Sequence, residues 1–200
     1  NNEILSIGQT GFDGTPHAEF NAIKNSNENL EDAKMYVTLE PCSHYGKTPP
    51  CTNIIIKNKI KEVVYAVEDI DKKVKGKTLK ILQSNDILVK KNLLKNEINK
   101  FYIPYFFNRK NNLPYVTGKI AISKNNLIYS KDTKRISDIH TDKFTHFLRY
   151  KNDSLMISSK TLKKDNPKLN CRLEGLNKFS PIRIILDRNL ETKKNSYIFK

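Results

Sequence analysis

Four side chains in the first third of the sequence are of types that can bind a metal ion and move a proton. His17 and Glu19 lie two residues apart, and Cys42 and Cys51 follow, each next to a proline. A catalytic zinc ion has three protein ligands, with imidazole nitrogen at ~2.0–2.1 Å and thiolate sulfur at ~2.3 Å, and water takes the fourth position. Glu19 is not needed as a ligand, so its carboxylate can take a proton from that water and pass it on. The four residues therefore predict a catalytic zinc site.

The order of these residues is that of zinc-dependent deaminases, but one spacing differs. Such enzymes carry His-x-Glu followed by Pro-Cys-x-x-Cys, whereas eight residues separate Cys42 from Cys51. We expect Cys42 to lie at the end of a strand and Cys51 at the start of the next helix, with the loop between them close to the metal. The positive end of that helix would also favour the thiolate form of Cys51.

The elements that must position these residues alternate between strands and helices. Hydrophobic periodicity predicts strands at residues 35–39, 63–67 and 86–89, and helices at 17–23, 51–57 and 74–83. An amphipathic stretch over residues 91–107 closes this unit, and the polar residues 108–112 are typical of a linker. The alternation favours an α/β fold with much parallel strand pairing, in a first domain over residues 1–108.

A second α/β unit begins after the predicted linker. Its pattern indicates strands at residues 115–122, 154–157 and 182–187 and a helix at 141–150. The second domain, over residues 113–200, has only 88 residues and no closing element, so we expect it to lack its C-terminal half. The chain also begins without methionine, and residues 4–7 are typical of the second half of a hairpin, so we expect it to be cut at the front.

The composition restricts the possible partners and compartments. Lys and Arg total 36 against 21 Asp and Glu, a net charge of +15, and 30 of the cations are lysines spread over the whole length. This distribution indicates solvated faces rather than a nucleic-acid groove. No apolar run approaches the ~20 residues of a membrane-spanning helix. With three cysteines and no signal sequence, we expect a cytoplasmic protein in a reducing compartment.

The cysteine-rich loop also resembles that of a known family. Residues 38–51 read Thr-Leu-Glu-Pro-Cys-Ser-His-Tyr-Gly-Lys-Thr-Pro-Pro-Cys, after Pro-His-Ala-Glu at 16–19. This pattern resembles the bifunctional riboflavin-biosynthesis proteins, in which a pyrimidine deaminase is fused to a reductase. The resemblance covers essentially the whole chain. It implies a cytidine-deaminase-like three-layer domain, without its first helix and strand, followed by an incomplete dihydrofolate-reductase-like domain.

The same resemblance implies two reactions. The first is zinc-dependent hydrolytic deamination of 2,5-diamino-6-(5-phosphoribosylamino)pyrimidin-4-one, and the second is NADPH-dependent reduction of the ribosyl side chain. It assigns the zinc ligands to His17, Cys42 and Cys51, and the proton shuttle to Glu19. It assigns deaminase substrate contacts to Lys47, Thr48 and Asp69. Thr10 departs from the family, which usually has histidine at that position.

For the reductase, the resemblance assigns two further sets of residues. The contacts with NADPH are Ile122, Arg135, Thr161 and Asp165. The contacts with the ribosyl-phosphate substrate are Thr133, Arg149, Leu169 and Arg172. Two of the substrate contacts, Arg149 and Arg172, are among only six arginines in the chain. Arginine binds phosphate in a bidentate manner. Arg135 departs from the family, which usually has tryptophan there.

Two alternatives are weighed against this interpretation. A cytidine or tRNA-adenosine deaminase would carry the short Cys-x-x-Cys spacing, which is absent. A basic nucleic-acid-binding module with a structural zinc would need a fourth His or Cys ligand, for which His44 is the only nearby candidate. We therefore expect a small-molecule substrate, no nucleic-acid or membrane partner, and a homo-oligomeric full-length protein.

Overall fold

The computed structural model describes residues 3–128 and 136–199 of the chain. The chain forms two compact units, Asn1–Thr117 and Gly118–Lys200. No helix in the described ranges is both long and apolar enough to cross a membrane.

The first unit alternates helices and strands around a parallel sheet. Its elements are α1 (Ala18–Asn25), β1 (Lys34–Leu39), α2 (Cys51–Lys57), β2 (Glu62–Val67), α3 (Lys77–Gln83), β3 (Leu88–Lys91) and α4 (Lys95–Asn111). The strand order is β1-β2-β3, and both pairings are parallel. In this register Leu39, at the end of β1, lies beside Val67, at the end of β2. The alternation and the parallel pairing predicted from the sequence are thus confirmed.

The central strand β2 explains why this sheet is stable. All six of its residues are buried, as expected of a parallel strand covered on both faces. Its Val63 belongs to a core whose other buried members are Leu30, Ile55, Ile60, Leu82 and Ile87. Glu62 begins the strand, and its carboxylate forms ion pairs with Lys34 of β1 at 3.1 Å and Lys90 of β3 at 2.8 Å. These pairs join all three strands at their amino ends.

The segment before α1 has no regular structure and lies along that helix. Ser6 Oγ donates a hydrogen bond to the carbonyl of Ala22 at 2.7 Å. A Cβ atom at Gly8 would lie 2.3 Å from the carbonyl oxygen of Ala18, so only glycine permits this approach. Residues 4–7, expected as half of a hairpin, form no strand here.

The fourth helix is longer than the sequence predicts. Residues 108–111, expected in a linker, form its last turn, and Asn112 ends it in the left-handed conformation with φ 54°. Asn is favoured at such a C-terminal position. Arg109 and Lys110 also suit this turn, because cations interact favourably with the negative end of a helix. The polar composition of these residues therefore marks a helix end.

The second unit has a smaller parallel sheet. Its elements are α5 (Ile139–Lys151), β4 (Ser154–Ser158), α6 (Ser159–Asp165), β5 (Ile182–Leu186) and a 3₁₀ turn (Tyr197–Phe199). Strands β4 and β5 pair in parallel, and Leu162, Leu169 and Ile198 form the buried core. The strand predicted at residues 115–122 is wrong, since this stretch has no regular structure. No described strand pairs with this segment. Its sequence pattern suits a strand, but its backbone has no neighbouring strand to bond to.

We expect Ile55→Ala to lower the free energy of unfolding of the chain by ~2–5 kcal/mol, because it empties a fully buried site in the core. The matched control is Ile7→Ala, since Ile7 is 75% exposed and such a change should cost at most about 0.5 kcal/mol. Urea unfolding of both variants measures the difference. Equal losses would contradict the packing described for α2.

Candidate active site

The parallel register brings the predicted site residues together at one edge of the first sheet. Cys42 follows the end of β1, and Asp69 follows the end of β2. The helices that return from this edge begin near it, with His17 just before α1 and Cys51 as the first residue of α2. Ligand sites in α/β sheets form at this carboxyl edge for the same reason.

The three predicted zinc ligands form a compact cluster. His17 Nδ1 lies 3.4 Å from Cys42 Sγ and 3.3 Å from Cys51 Sγ. The three ligand atoms all lie within 4.8 Å of one another. A tetrahedral zinc ion with ligands at the usual distances would separate nitrogen from sulfur by about 3.5 Å. The observed separations therefore fit a zinc ion held by His17, Cys42 and Cys51.

Only three residues make up this group within residues 3–128 and 136–199. A structural zinc site is closed by four protein ligands, whereas a catalytic site leaves one position open. His44, the candidate fourth ligand, does not belong to the group. The geometry therefore favours a catalytic centre.

The protonation of the two thiols follows from their hydrogen bonds. The Cys51 thiol, then His17 and the backbone N–H of Cys51, bond to the Cys42 sulfur and lower the pKa of Cys42 to about 4. That N–H lies 3.1 Å from the sulfur. The pKa of Cys51 is instead raised, by its bond to Cys42, by burial and by Glu19. The amino end of α2 thus favours the thiolate of Cys42, whereas the sequence led us to expect this effect at Cys51.

Glu19 lies in the first turn of α1, beside the cluster. It is 7% exposed, and its carboxyl group is hydrogen-bonded to Cys51. Burial raises its pKa, although its own backbone N–H opposes this shift. A buried carboxyl group next to three metal-binding atoms can exchange protons with a molecule bound there.

Asp69 is held in place by a residue that the sequence analysis missed. Its carboxylate accepts bonds from the Tyr105 hydroxyl at 3.2 and 3.3 Å and from the Asp71 N–H at 2.9 Å. Tyr105 comes from α4 and also packs against Arg109, whose guanidinium carbon lies 5.5 Å from the ring centroid. Helix α4 therefore contributes to the site.

A second tyrosine of the same helix reaches this region. The Tyr102 hydroxyl lies 2.8 Å from Thr38 Oγ1. Its pKa is raised by burial, and the charges of Glu19 and Asp69 add to the shift. Tyr102, Tyr105 and Phe106 form an aromatic group at spacings of three and four residues. That spacing is visible in the sequence, but it predicts only one covered helix face.

The other predicted deaminase contacts lie on the surface of the loop. Lys47 is exposed and Thr48 half-buried, between Cys42 and Cys51. The Thr48 carbonyl accepts a bond from the Gly46 N–H at 3.2 Å. Thr10, which replaces the family's histidine, is exposed.

In the second unit the structure brings two predicted arginines together. Arg149 of α5 donates a bond to the carbonyl of Asn170 at 3.0 Å, and Arg172 donates to the side chain of Asn170 at 3.1 Å. The pKa of Arg149 is lowered by burial and by the charge of Arg172. Two guanidinium groups this close form a site that suits an anion.

His146 supports this pair and was not predicted. Its Nδ1 accepts a hydrogen bond from the Arg172 N–H at 3.1 Å and lies 3.5 Å from an Arg149 nitrogen. It precedes Arg149 by three residues on α5, so both lie on one helix face. The three-residue spacing of His146 and Arg149 was the feature of the sequence that could have indicated this contact.

The remaining predicted reductase residues are more dispersed. Ile122 is 51% exposed, and Leu169 is buried in the core of the unit. Thr161 lies in the first turn of α6, where its N–H donates to Ser158 Oγ at 3.2 Å, and Asp165 ends that helix. Thr133 and Arg135 lie outside the described residues.

Comparison with known sequence families assigns a class to a segment in each unit of the chain. Residues 1–67 match the cytidine and deoxycytidylate deaminase zinc-binding region, and residues 114–200 match the RibD C-terminal domain. The chain therefore joins a deaminase zinc-binding region to a RibD C-terminal domain. This agrees with the fold class expected from the sequence.

The chain belongs to the RibD family of riboflavin-biosynthesis proteins. It is 37% identical to RibD of Bacillus amyloliquefaciens over 98% of its length and 53% of the relative's. It is 34% identical to RibD of Aquifex aeolicus, over 94% of this chain and 53% of that protein. The chain thus spans about half the length of the curated relatives it matches.

Solved structures agree with this assignment. A diaminohydroxyphosphoribosylaminopyrimidine deaminase/5-amino-6-(5-phosphoribosylamino)uracil reductase from Thermotoga maritima superposes with a TM-score of 0.88 and 33% identity, over 98% of this chain and 57% of that one. Acinetobacter baumannii RibD superposes with a TM-score of 0.86 and 29% identity, over 100% of this chain and 58% of that one.

We expect the purified chain to bind one zinc ion, and Cys42→Ser or Cys51→Ser to lose it, because either change removes a thiolate ligand. Elemental analysis of the metal-replete proteins is the measurement. Cys171→Ser is the control, since Cys171 is a buried free cysteine outside the cluster. Zinc retained by both ligand variants would contradict the assignment.

Proposed function

We propose that the first domain, residues 1–108, catalyses hydrolytic deamination of 2,5-diamino-6-(5-phosphoribosylamino)pyrimidin-4-one. The observation that carries this proposal is the buried Glu19 carboxyl group beside an imidazole and two thiols with one metal position open. Zinc bound by these three residues would activate water for attack on the ring carbon whose amino group the reaction removes. The relatives' printed function supports the choice of substrate.

The role proposed for Glu19 follows from its position. Its carboxylate accepts the two protons of the attacking water in turn and delivers one to the adjacent ring nitrogen and the other to the leaving amino group, so that the carbon–nitrogen bond breaks, ammonia departs and a carbonyl remains. Burial favours this exchange, because it raises the pKa of Glu19 and brings it closer to the pKa values of the groups with which Glu19 exchanges protons.

We propose that substrate contacts in this domain come from Asp69, Lys47 and Thr48. Asp69 is 7% exposed and has its carboxylate fixed by Tyr105 and Asp71, which is the arrangement needed to bind an N–H group of a pyrimidine. Lys47 is an exposed cation on the loop that joins two metal ligands, and it is suited to the phosphate of the substrate's arm.

For the second domain, residues 113–200, we propose NADPH-dependent reduction of the ribosyl side chain. The paired guanidinium groups of Arg149 and Arg172 support this proposal, because they are suited to the phosphate of the substrate. Ile122, Thr161 and Asp165 are the proposed contacts with NADPH among the described residues, and Leu169 a further substrate contact.

Two observations favour this function over the alternatives. The eight-residue loop between Cys42 and Cys51 differs from the short spacing of cytidine and tRNA-adenosine deaminases. The match of residues 114–200 to the RibD C-terminal domain has no counterpart in a nucleic-acid-binding zinc module. The three free cysteines support the cytoplasm as the compartment.

We expect Glu19→Gln to retain zinc and to lower the rate of deamination by ~10²–10⁴, because the amide fills the same space but cannot accept a proton. Ammonia release from the zinc-loaded chain, given the diaminopyrimidinone substrate, is the measurement. Glu28→Gln is the control, since this carboxylate is exposed. No ammonia release from the unmutated, zinc-loaded chain would refute the proposed function itself.

For the anion site, Arg172→Lys should weaken binding of ribose 5-phosphate to the chain by about tenfold, because a charge-assisted bidentate contact becomes a single one. Calorimetric titration of the full 200-residue chain measures the affinity. Arg188→Lys, at an exposed position on the same unit, should leave it unchanged. Equal affinities for all three proteins would argue against this site.

A further inference from the structure

Glu40 is a buried acid that the proposed reaction does not use. It lies between the end of β1 and the metal ligand Cys42, and it is 3% exposed. Its Oε1 accepts a hydrogen bond from the Gly76 N–H at 3.0 Å. Its Oε2 accepts from the same N–H at 3.2 Å and from the Asp69 N–H at 3.3 Å. Both carboxylate oxygens are therefore bonded to the loop that follows β2.

The backbone on either side of this carboxylate is also bonded to neighbouring elements. The Glu40 N–H donates to the Val67 carbonyl at 2.9 Å, which extends the pairing of β1 with β2 by one residue. The Thr78 hydroxyl of α3 donates to the Pro41 carbonyl at 2.6 Å, and Thr78 is fully buried. The chain leading to Cys42 is thus attached to both β2 and α3.

The chemistry of these contacts is specific to a carboxylate. The Gly76 N–H faces both oxygens and the Asp69 N–H faces Oε2, so an amide side chain in either orientation would direct its own NH₂ group at a donor. Gly76 has φ 71°, a conformation that glycine adopts without strain, and this conformation directs its N–H towards Glu40. Neutral N–H donors compensate the buried charge, because no Lys or Arg of residues 3–128 and 136–199 forms an ion pair with it.

We infer that Glu40 is a positioning residue that fixes the metal ligand Cys42 relative to the loop carrying Asp69. The carboxylate joins the two segments that supply a metal ligand and a proposed substrate contact, so one side chain sets the distance between them. The part of the inference that concerns Asp69 rests on the proposed deaminase function. The part that concerns Cys42 rests on the metal cluster alone.

The structure supplies a matched control for a role in fold stability only. Glu62 is 5% exposed and lies at the opposite end of β2, where Lys34 and Lys90 bind its carboxylate. It is a buried acid of the same sheet, and in the part of the chain that the structure describes its carboxylate pairs with these two lysines and with no site residue. A loss of stability common to Glu40→Gln and Glu62→Gln therefore measures the structural contribution of a buried acid. A change in metal binding found in Glu40→Gln alone measures positioning.

The first test uses cobalt(II) as the probe, because its thiolate absorption bands report the number and arrangement of cysteine ligands. We expect Glu40→Gln to weaken cobalt binding to the 200-residue chain on the order of tenfold, as seen when groups that orient metal ligands are changed, and to alter the thiolate bands. Glu62→Gln should change neither. The inference would be overturned if Glu40→Gln matched Glu62→Gln in both cobalt affinity and thiolate absorption bands.

A second variant covers the case in which Glu40→Gln does not fold. Thr78→Val keeps the buried shape but removes the bond to the Pro41 carbonyl, and it should alter the cobalt bands in the same direction. Unaltered bands in this variant would overturn the inference in that case.

A further measurement separates this inference from the proposed function. In Glu40→Gln, faster hydrogen exchange at the Asp69 and Gly76 amides is expected, with a higher KM for the pyrimidine and a smaller change in kcat. If the unmutated chain releases no ammonia while exchange and cobalt bands change as expected, the proposed function fails and the positioning of Cys42 stands. Unchanged exchange at both amides would contradict the bonds on which the inference depends.

Discussion

Parallel pairing of β1 with β2 is the constraint that places Asp69 beside the metal cluster. Because both strands run in the same direction, the segments after Leu39 and Val67 leave the sheet side by side. The helices that return to the opposite edge must begin at this one, which places the amino ends of α1 and α2 against it. An antiparallel partner would send these segments to opposite edges and would separate Asp69 from Cys42.

The residues with distinctive chemistry could be predicted from the sequence because their positions depend on local structure. Cys51 begins a helix directly after two prolines, which cannot extend a helix from its interior. His17 and Glu19 share one helical turn, so their relative position is fixed before any tertiary contact forms. The fold class could be predicted from the alternation of strand-like and helix-like hydrophobic patterns, because alternating strands and helices favour parallel pairing.

Contacts that depend on distant elements could not be predicted in this way. Tyr105 reaches Asp69 across 36 residues, and nothing near Tyr105 in sequence indicates which helix face meets the sheet. The strand predicted at residues 115–122 failed for the complementary reason, since a strand requires a partner whose register the local pattern does not specify. Arg149 and Arg172 show an intermediate case, because each was predicted singly while their joint attachment to Asn170 depends on the fold.

The distribution of charge within the first unit follows the chemistry of its two edges. At the amino edge Glu62 is bound by lysines, which suits a purely structural contact. At the carboxyl edge Glu19, Glu40 and Asp69 are buried, and among the described residues none of them forms an ion pair with Lys or Arg. Their bonds come from N–H, hydroxyl and thiol groups instead. An ammonium group in this buried region would repel a divalent metal, because charges interact strongly at low dielectric. Neutral donors stabilise the three acids while leaving their negative charge available to the metal.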